Sequence, residues 1–405
     1  MASQLPHGEA APADGSLPAA ALADARARPL GLYIHVPFCA TRCGYCDFNT
    51  YTAGELGDPT STARYLAAAR AELALAARIL GDERAVSTVF FGGGTPTLFP
   101  AADLVGLLAE ANRLLPLTDD AEVTTEANPE SVDQSYLEQL RAGGFTRVSL
   151  GMQSSRPHVL EVLDRKHSPG RPEAGVRAAR AAGFEQVSLD LIYGTPGETD
   201  ADWSDSLAAA IGTGADHISA YALVVEDGTA LARKVARAEL PRPDDDSLAD
   251  RYLIADAALA AAGLEWYEIS NWAAAGSSRC RHNELYWRSA DWWGIGPGAH
   301  SHVGGVRWWN VKHPAAYASR LDEGLSPAHS REQLDESQRH EERVLLEVRL
   351  REGLAVDALD DQARAVVARQ RDEGFVDADE LDRGRVVLTL RGRMLADLVV
   401  RDLLT

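Results

Sequence analysis

Cysteine is scarce. The 405 residues hold four, too few for a disulfide framework in a chain of this size, which points to a reducing compartment. Long apolar runs are missing as well: no stretch approaches the roughly 18 apolar residues that a membrane span needs, so no transmembrane segment is expected. Positive charge is in short supply. Forty Lys and Arg face 60 Asp and Glu, a formal charge of -20, and a chain so acidic repels a phosphate backbone and an anionic bilayer. Nucleic acid is not an expected partner. Residues 1–28 lack the basic start and apolar core of a secretion signal, and Glu9, Asp14 and Asp24 speak against a transit peptide despite Arg26 and Arg28. They read as a disordered tail on a cytoplasmic protein. The remainder, 45% hydrophobic and 25% charged, is ordinary globular composition for one large domain and a smaller one.

From Leu30 onward, short β-branched or aromatic runs alternate with longer Ala, Leu and Arg-rich segments. The runs Leu30–Val36, Val86–Phe91, Ala121–Ala127, Thr146–Gly151, Gln186–Ile192 and His217–Leu223 predict strands. Between them Ser61–Leu80, Ala101–Leu114, Ser131–Ala142 and Arg171–Ala182 repeat apolar residues at helical spacing. The rhythm predicts an α/β fold, a partial barrel of six βα units over residues 29–243, with ligands gathered at the carboxyl ends of the strands. Pro241, Pro243 and Asp244 to Asp246 mark a boundary. Residues 244–330 hold seven of the eight tryptophans in a Gly-rich stretch that reads as loops around an aromatic surface. Residues 331–405 predict a smaller α+β end: helices, a strand at Val386–Leu390 and a last helix at Met394–Leu404, in the manner of a winged helix.

Three of the cysteines, Cys39, Cys43 and Cys46, fall within eight residues just after the first strand. Three soft ligands on one loop suit an iron-sulfur cluster; a zinc site would call for a fourth ligand, for which His35 is the nearby candidate. The run Phe91-Gly92-Gly93-Gly94-Thr95 follows the second strand, where bare backbone can meet a ligand. Glu126 ends the third strand, either to bind an ammonium or to cap a helix with Asn128 and Pro129. Gln153 follows the fourth strand, Asp190 lies near the end of the fifth, and Arg165 stands in Leu163-Asp-Arg-Lys-His-Ser168.

The run from Tyr33 through Cys39-x3-Cys43-x2-Cys46 to Phe48 resembles the signature of radical S-adenosylmethionine (SAM) proteins. It is most similar to the branch that holds oxygen-independent coproporphyrinogen III oxidases and HemW-type heme chaperones, and the likeness extends over nearly the whole chain from residue 30. The resemblance implies a [4Fe-4S] cluster on Cys39, Cys43 and Cys46, with SAM as a second cofactor. It implies SAM contacts from Tyr33, Tyr45, Gly93, Gly94, Thr95, Glu126, Gln153, Arg165, Asp190 and Ala222. Gly93 and its neighbours would meet the amino group, Arg165 the carboxylate, Gln153 and Asp190 the ribose, and Tyr45 and Ala222 the adenine.

The oxidase branch carries a further cysteine two positions after the third, where this chain has Phe48. The run Cys280-Arg-His282-Asn283-Glu-Leu-Tyr286-Trp287 resembles the HNxxYW motif of the chaperone type. A His beside flat rings and glycines suits an axial ligand of heme, which makes His282 the first candidate, with Cys280, Asn283, Tyr286 and Trp287 around it. A hydrogen-bonded core histidine is the alternative. The resemblance thus implies porphyrin metabolism: a carrier that binds heme and hands it to acceptor proteins, those of the respiratory chain among them, with room for a homodimer. An oxidase acting on porphyrinogen propionates is the competing reading.

Overall fold

The computed structural model describes residues 7–23, 25–57, 61–81 and 84–404. Its strands are β1 (Glu9–Ala10), β2 (Leu30–Val36), β3 (Val86–Gly93), β4 (Leu117–Ala127), β5 (Arg147–Gln153), β6 (Gln186–Tyr193), β7 (His217–Ala222), β8 (Glu265–Glu268), β9 (Asn271–Ala273), β10 (Asp291–Ile295), β11 (His300–Val303), β12 (Val306–Asn310), β13 (Ala328–Gln333), β14 (Leu354–Ala355) and β15 (Arg385–Val386). Strands β2 to β7 run parallel in sequence order, and helices such as Ser61–Leu80, Ala101–Leu114 and Arg171–Ala181 make the crossovers. This is the expected run of six βα units.

Each of these strands divides its residues between two faces, as the period of two demands. Leu32 and Ile34, Val89 and Phe91, Val148 and Leu150, and Val187 and Leu189 all belong to the main hydrophobic core under the helices. The intervening Tyr33, Phe90, Thr124, Arg147, Ser149, Ser188, Asp190, His217 and Ser219 line a cavity on the other side. Helix starts are set by local chemistry: Asp133 accepts from the Tyr136 N–H at 2.8 Å, and Thr199 forms a capping box with Asp202.

Two expectations are corrected. The tryptophan-rich stretch is not a set of surface loops. Strand β10 pairs in parallel with β2 and continues through β11 and β12 to β13 and β1, while β9 and β8 extend the opposite edge beyond β7. Trp266, Trp272, Trp293, Trp308 and Trp309 are buried in it, because an indole covers more apolar area than the short, glycine-interrupted strands could otherwise supply. Nor are residues 7–23 and 25–28 a disordered tail. Strand β1 pairs with β13, Arg28 bonds Asp291 at 3.0 Å, and its guanidinium also meets the Ala21 and Ala23 carbonyls; residues 1–6 and 24 lie outside the described residues.

Residues from Val344 to Leu403 build a core of their own, with helices Glu336–Glu347, Asp361–Asp372 and Ala396–Leu403 around the antiparallel pair β14 and β15. The strand expected at Val386–Leu390 is shorter, since Leu390 already opens a helix capped by Thr389. Arg393 fastens this module to the barrel: it grips Asp256 at 2.9 and 3.0 Å and lies 4.3 Å from the centre of the Trp266 ring.

Glu72 does the same for the added strands. Fully buried on helix Ser61–Leu80, it accepts from Gly296 N–H at 2.8 Å, Asn310 Nδ2 at 2.7 Å and the Tyr317 hydroxyl at 2.5 Å. Burial lifts its carboxyl from 4.5 to about 7. The folded chain therefore keeps a proton that the unfolded chain releases, and stability from this site falls as pH rises from about 4.5 through about 7. Glu72→Ala, which strands three donors, is expected to destabilise the protein by about 3 kcal/mol and to remove that pH dependence, read by urea unfolding across the same window.

Candidate functional site

A cavity of about 790 Å³ opens at the carboxyl ends of β2 to β7 and descends between them. Cys39, Cys43 and Cys46 stand at its mouth on the loop after β2, all three as free, partly exposed thiols. The loop is held by backbone bonds: Cys39 N–H to Tyr51 carbonyl at 3.0 Å, Gly44 N–H to Leu163 carbonyl at 2.9 Å, and Leu231 N–H to Gly44 carbonyl at 2.8 Å. Two donors face the sulfurs. The Thr95 hydroxyl is 3.9 Å from Cys39 Sγ and Arg165 Nη1 is 3.8 Å from Cys43 Sγ. Burial raises the Cys39 thiol and pushes that of Cys46 up to about 11, so metal binding at these two sulfurs would displace their protons. Among the described residues, no three His, Cys, Asp or Glu groups are placed to hold a single metal ion; three thiols on one loop are a donor set that suits an iron-sulfur cluster.

The glycines after β3 are required by backbone proximity. Gly94 N–H bonds the Val36 carbonyl and Thr95 N–H the Phe38 carbonyl, both at 2.8 Å. A Cβ on Gly94 would sit 2.4 Å from the Phe38 oxygen, and Gly93 has φ +105. Only glycine lets this edge lie against the cysteine loop. Glu126 is not the helix cap, a part played by Asn128, which accepts from Glu130 N–H. Instead, Glu126 turns into the cavity, accepts from Gly93 N–H at 3.0 Å, and is lifted to about 8 by burial and then by Asp190. Asp190, itself raised by burial, is bonded by the Ser149 hydroxyl at 2.9 Å. Arg165 is not a solvated arginine: its Nη2 donates to the Gly151 carbonyl at 2.7 Å, and its Nε is buried without a partner. Gln153 sits at φ 65, at a register shift between β5 and β6, a strained backbone that aims its side chain inward. Tyr33, Tyr45 and Ala222 line the same cavity, so all ten residues expected around SAM come together.

The segment with the HNxxYW spacing folds as a short helix, Arg281–Trp287, across the floor. Glu122 of β4 receives its first N–H groups, those of Arg281 and His282, both at 3.0 Å. His282 is 2% exposed. Its Nδ1 bonds the Thr88 hydroxyl at 2.7 Å, its Nε2 the Tyr286 hydroxyl at 2.8 Å, and its ring stacks on Phe90 with centroids 5.2 Å apart. Burial pushes it down to about 3. Ligation of iron by His282 thus requires one of these two hydrogen bonds to break. Cys280, Asn283 and Tyr286 line the cavity; Trp287 lies off it, its indole N–H buried without a partner. His300 and His302 are on β11, away from the cavity lining.

Sequence reasoning inspected the strand ends and missed what lies deeper. Thr124, Arg147, Ser149, Ser188, His217 and Ser219 all face the cavity. The signal was present: parallel strands covered by helices on both faces are apolar throughout, so polar residues at every second position mark a face turned to something other than a helix.

Residues 33–210 match the radical SAM superfamily. The chain is 54% identical to the heme chaperone HemW of Mycobacterium tuberculosis, over 95% of this chain and 97% of that one. It is 32% identical to the HemW of Bacillus subtilis, over 90% and 96% of the two chains. Its fold is similar to that of the coproporphyrinogen III oxidase HemN of Escherichia coli, a radical SAM enzyme, with TM-score 0.80, 24% identity, and 95% and 92% of the two chains covered. By sequence over nearly its whole length, and by the arrangement of its barrel, the chain belongs to the radical SAM superfamily and, within it, to the HemW family.

Proposed function

We propose that the chain is a heme chaperone: it binds a [4Fe-4S] cluster, SAM and heme, and hands heme to acceptor proteins. Its membership of the HemW family carries this reading. Cys39, Cys43 and Cys46 would hold the cluster, which when bound supplies an iron with an open coordination position for SAM. The chain's own residues do the rest. Glu126 offers a carboxylate to an ammonium, Arg165 a guanidinium to a carboxylate, and Gly93 and Gly94 bare backbone beside them. Phe48, 58% exposed at the cavity mouth, stands where the oxidase branch has a cysteine and weighs against decarboxylation. No helix among the described residues is long and apolar enough to cross a membrane; acceptors of the respiratory chain and a cytoplasmic location belong to the same proposal.

Anaerobic incubation of reconstituted protein with SAM, a reductant and either heme or coproporphyrinogen III separates the two activities. Stable heme uptake and passage to an apo-acceptor are expected, and turnover to protoporphyrinogen IX would overturn the chaperone reading. In the same assay, His282→Ala is expected to lower heme affinity if the imidazole is released from Tyr286 to meet iron; undiminished uptake removes His282 as the ligand. SAM affinity carries a sign fixed by Glu126. The carboxyl is protonated below about 8 and must ionise to pair with an ammonium, so affinity is expected to climb about tenfold per pH unit toward that value. Glu126→Gln should flatten this acidic limb, measured by calorimetry on the cluster-loaded protein.

A further inference from the structure

The floor of the cavity holds a cation that none of the roles above uses. Arg147 of β5 is 1% exposed and lines the cavity. Its Nη1 donates to the Ser278 carbonyl at 2.8 Å and to Gln186 Oε1 at 3.3 Å, whereas Nη2 is buried without a partner. Among the described residues no carboxylate accepts a hydrogen bond from it, though its charge reaches Asp190 through space. Directly opposite in the β4–β5 register stands Thr124, which lines the same cavity and whose hydroxyl is also buried and unpartnered. Two neighbouring polar groups, one of them charged, are thus left unsatisfied in one layer of the barrel.

A buried cationic N–H left without an acceptor is unfavourable, and although Asp190 feels the Arg147 charge through space, no neighbouring acid supplies that acceptor. Asp190 is bonded by Ser149, and Glu122 receives the N–H groups of Arg281 and His282. Ser188, His217 and Tyr267 satisfy one another in a chain of 2.7 and 2.8 Å hydrogen bonds. What this layer lacks is an acceptor for Arg147 Nη2, and a ligand in the cavity can supply it. The planar fork of a guanidinium beside a hydroxyl matches a carboxylate.

We propose that Arg147 and Thr124 form a carboxylate anchor at the floor of the barrel, beneath the SAM site, for a ligand that enters from the mouth. Resting on the heme reading above, the carboxylate is a heme propionate. The polarity of the cavity agrees with such an amphiphile: at the opposite end Phe48, Leu98 and Val224 are exposed apolar side chains lining the same space.

Two arms test the anchor and its occupant separately, on full-length, cluster-reconstituted protein. Sodium propionate is expected to raise the Tm of the wild type above that in sodium chloride of equal ionic strength, and to have no such effect on Arg147→Gln. Absence of the effect in the wild type, or its persistence in Arg147→Gln, overturns the anchor. With hemin and hemin dimethyl ester as probes, the wild type should prefer the diacid about tenfold, as a buried charge-assisted hydrogen bond allows, and Arg147→Gln should lose the preference. Equal binding of the two forms overturns heme as the source and leaves a smaller carboxylate; binding of neither overturns the heme reading itself. Thr124→Val, which keeps the volume, guards against misfolding of the arginine variant. It should weaken the preference several-fold with SAM affinity unchanged, and an equal loss of SAM affinity counts against the anchor.

Discussion

The constraint on which this structure depends is the two-sided burial of strands β2 to β7 with only one side apolar. Outward, alternate residues disappear under helices and supply the hydrophobic stabilisation. Inward, the alternate positions carry polar groups such as Thr124, Arg147, Ser149, Ser188 and His217 beside Tyr33 and Phe90, around a cavity that opens at one end, and each polar group buried there needs a partner of its own. Strand-to-strand chains such as Ser188–His217–Tyr267 meet part of that demand. The rest, Arg147 Nη2, Thr124 Oγ1 and Arg165 Nε among them, is left without one.

The helix Arg281–Trp287 closes the lower end under the same constraint. Its N-terminus would leave buried backbone donors without acceptors, and Glu122 of β4 removes that penalty while fixing the helix across the barrel. Asn283 reaches the other side, donating to Glu268 of β8 at 2.8 Å. One short segment thereby joins strands that are far apart in the sheet order. The same contacts keep His282 and Tyr286 in register with Thr88.

The six parallel strands were legible because each pairs a β-branched run with a following helix, a pattern that needs no distant information. Leu30–Val36 and Ser61–Leu80 have the predicted bounds in the structure. Residues at the strand ends were legible for the same reason: topology alone brings Glu126, Gln153 and Asp190 to one mouth. The tryptophan-rich stretch was not. Strands as short as Asn271–Ala273 carry too few residues for a period to register, and β10 finds its place beside β2 only through the tertiary fold. His282 shows the other limit. Aromatic neighbours in the sequence suggested a heme face, but the partners that occupy its ring include Thr88, on a strand remote in the chain. Arg147 escaped notice because a lone arginine in a strand resembles a solvated edge residue until its neighbours are known.

Strand β10 has a consequence for the order of assembly. The loop that follows the three cysteines is pinned by Asn49, whose side-chain amide donates to the Pro297 and Lys312 carbonyls at 2.9 and 2.8 Å, and Gly298 passes so close to Asn49 that a Cβ there would lie 2.6 Å from its nitrogen. Those partners leave the ribosome long after the cysteines do. Until they arrive β2 has an open edge and its loop lacks this clasp, so the cysteine loop gains its final support only from the last strands to be made.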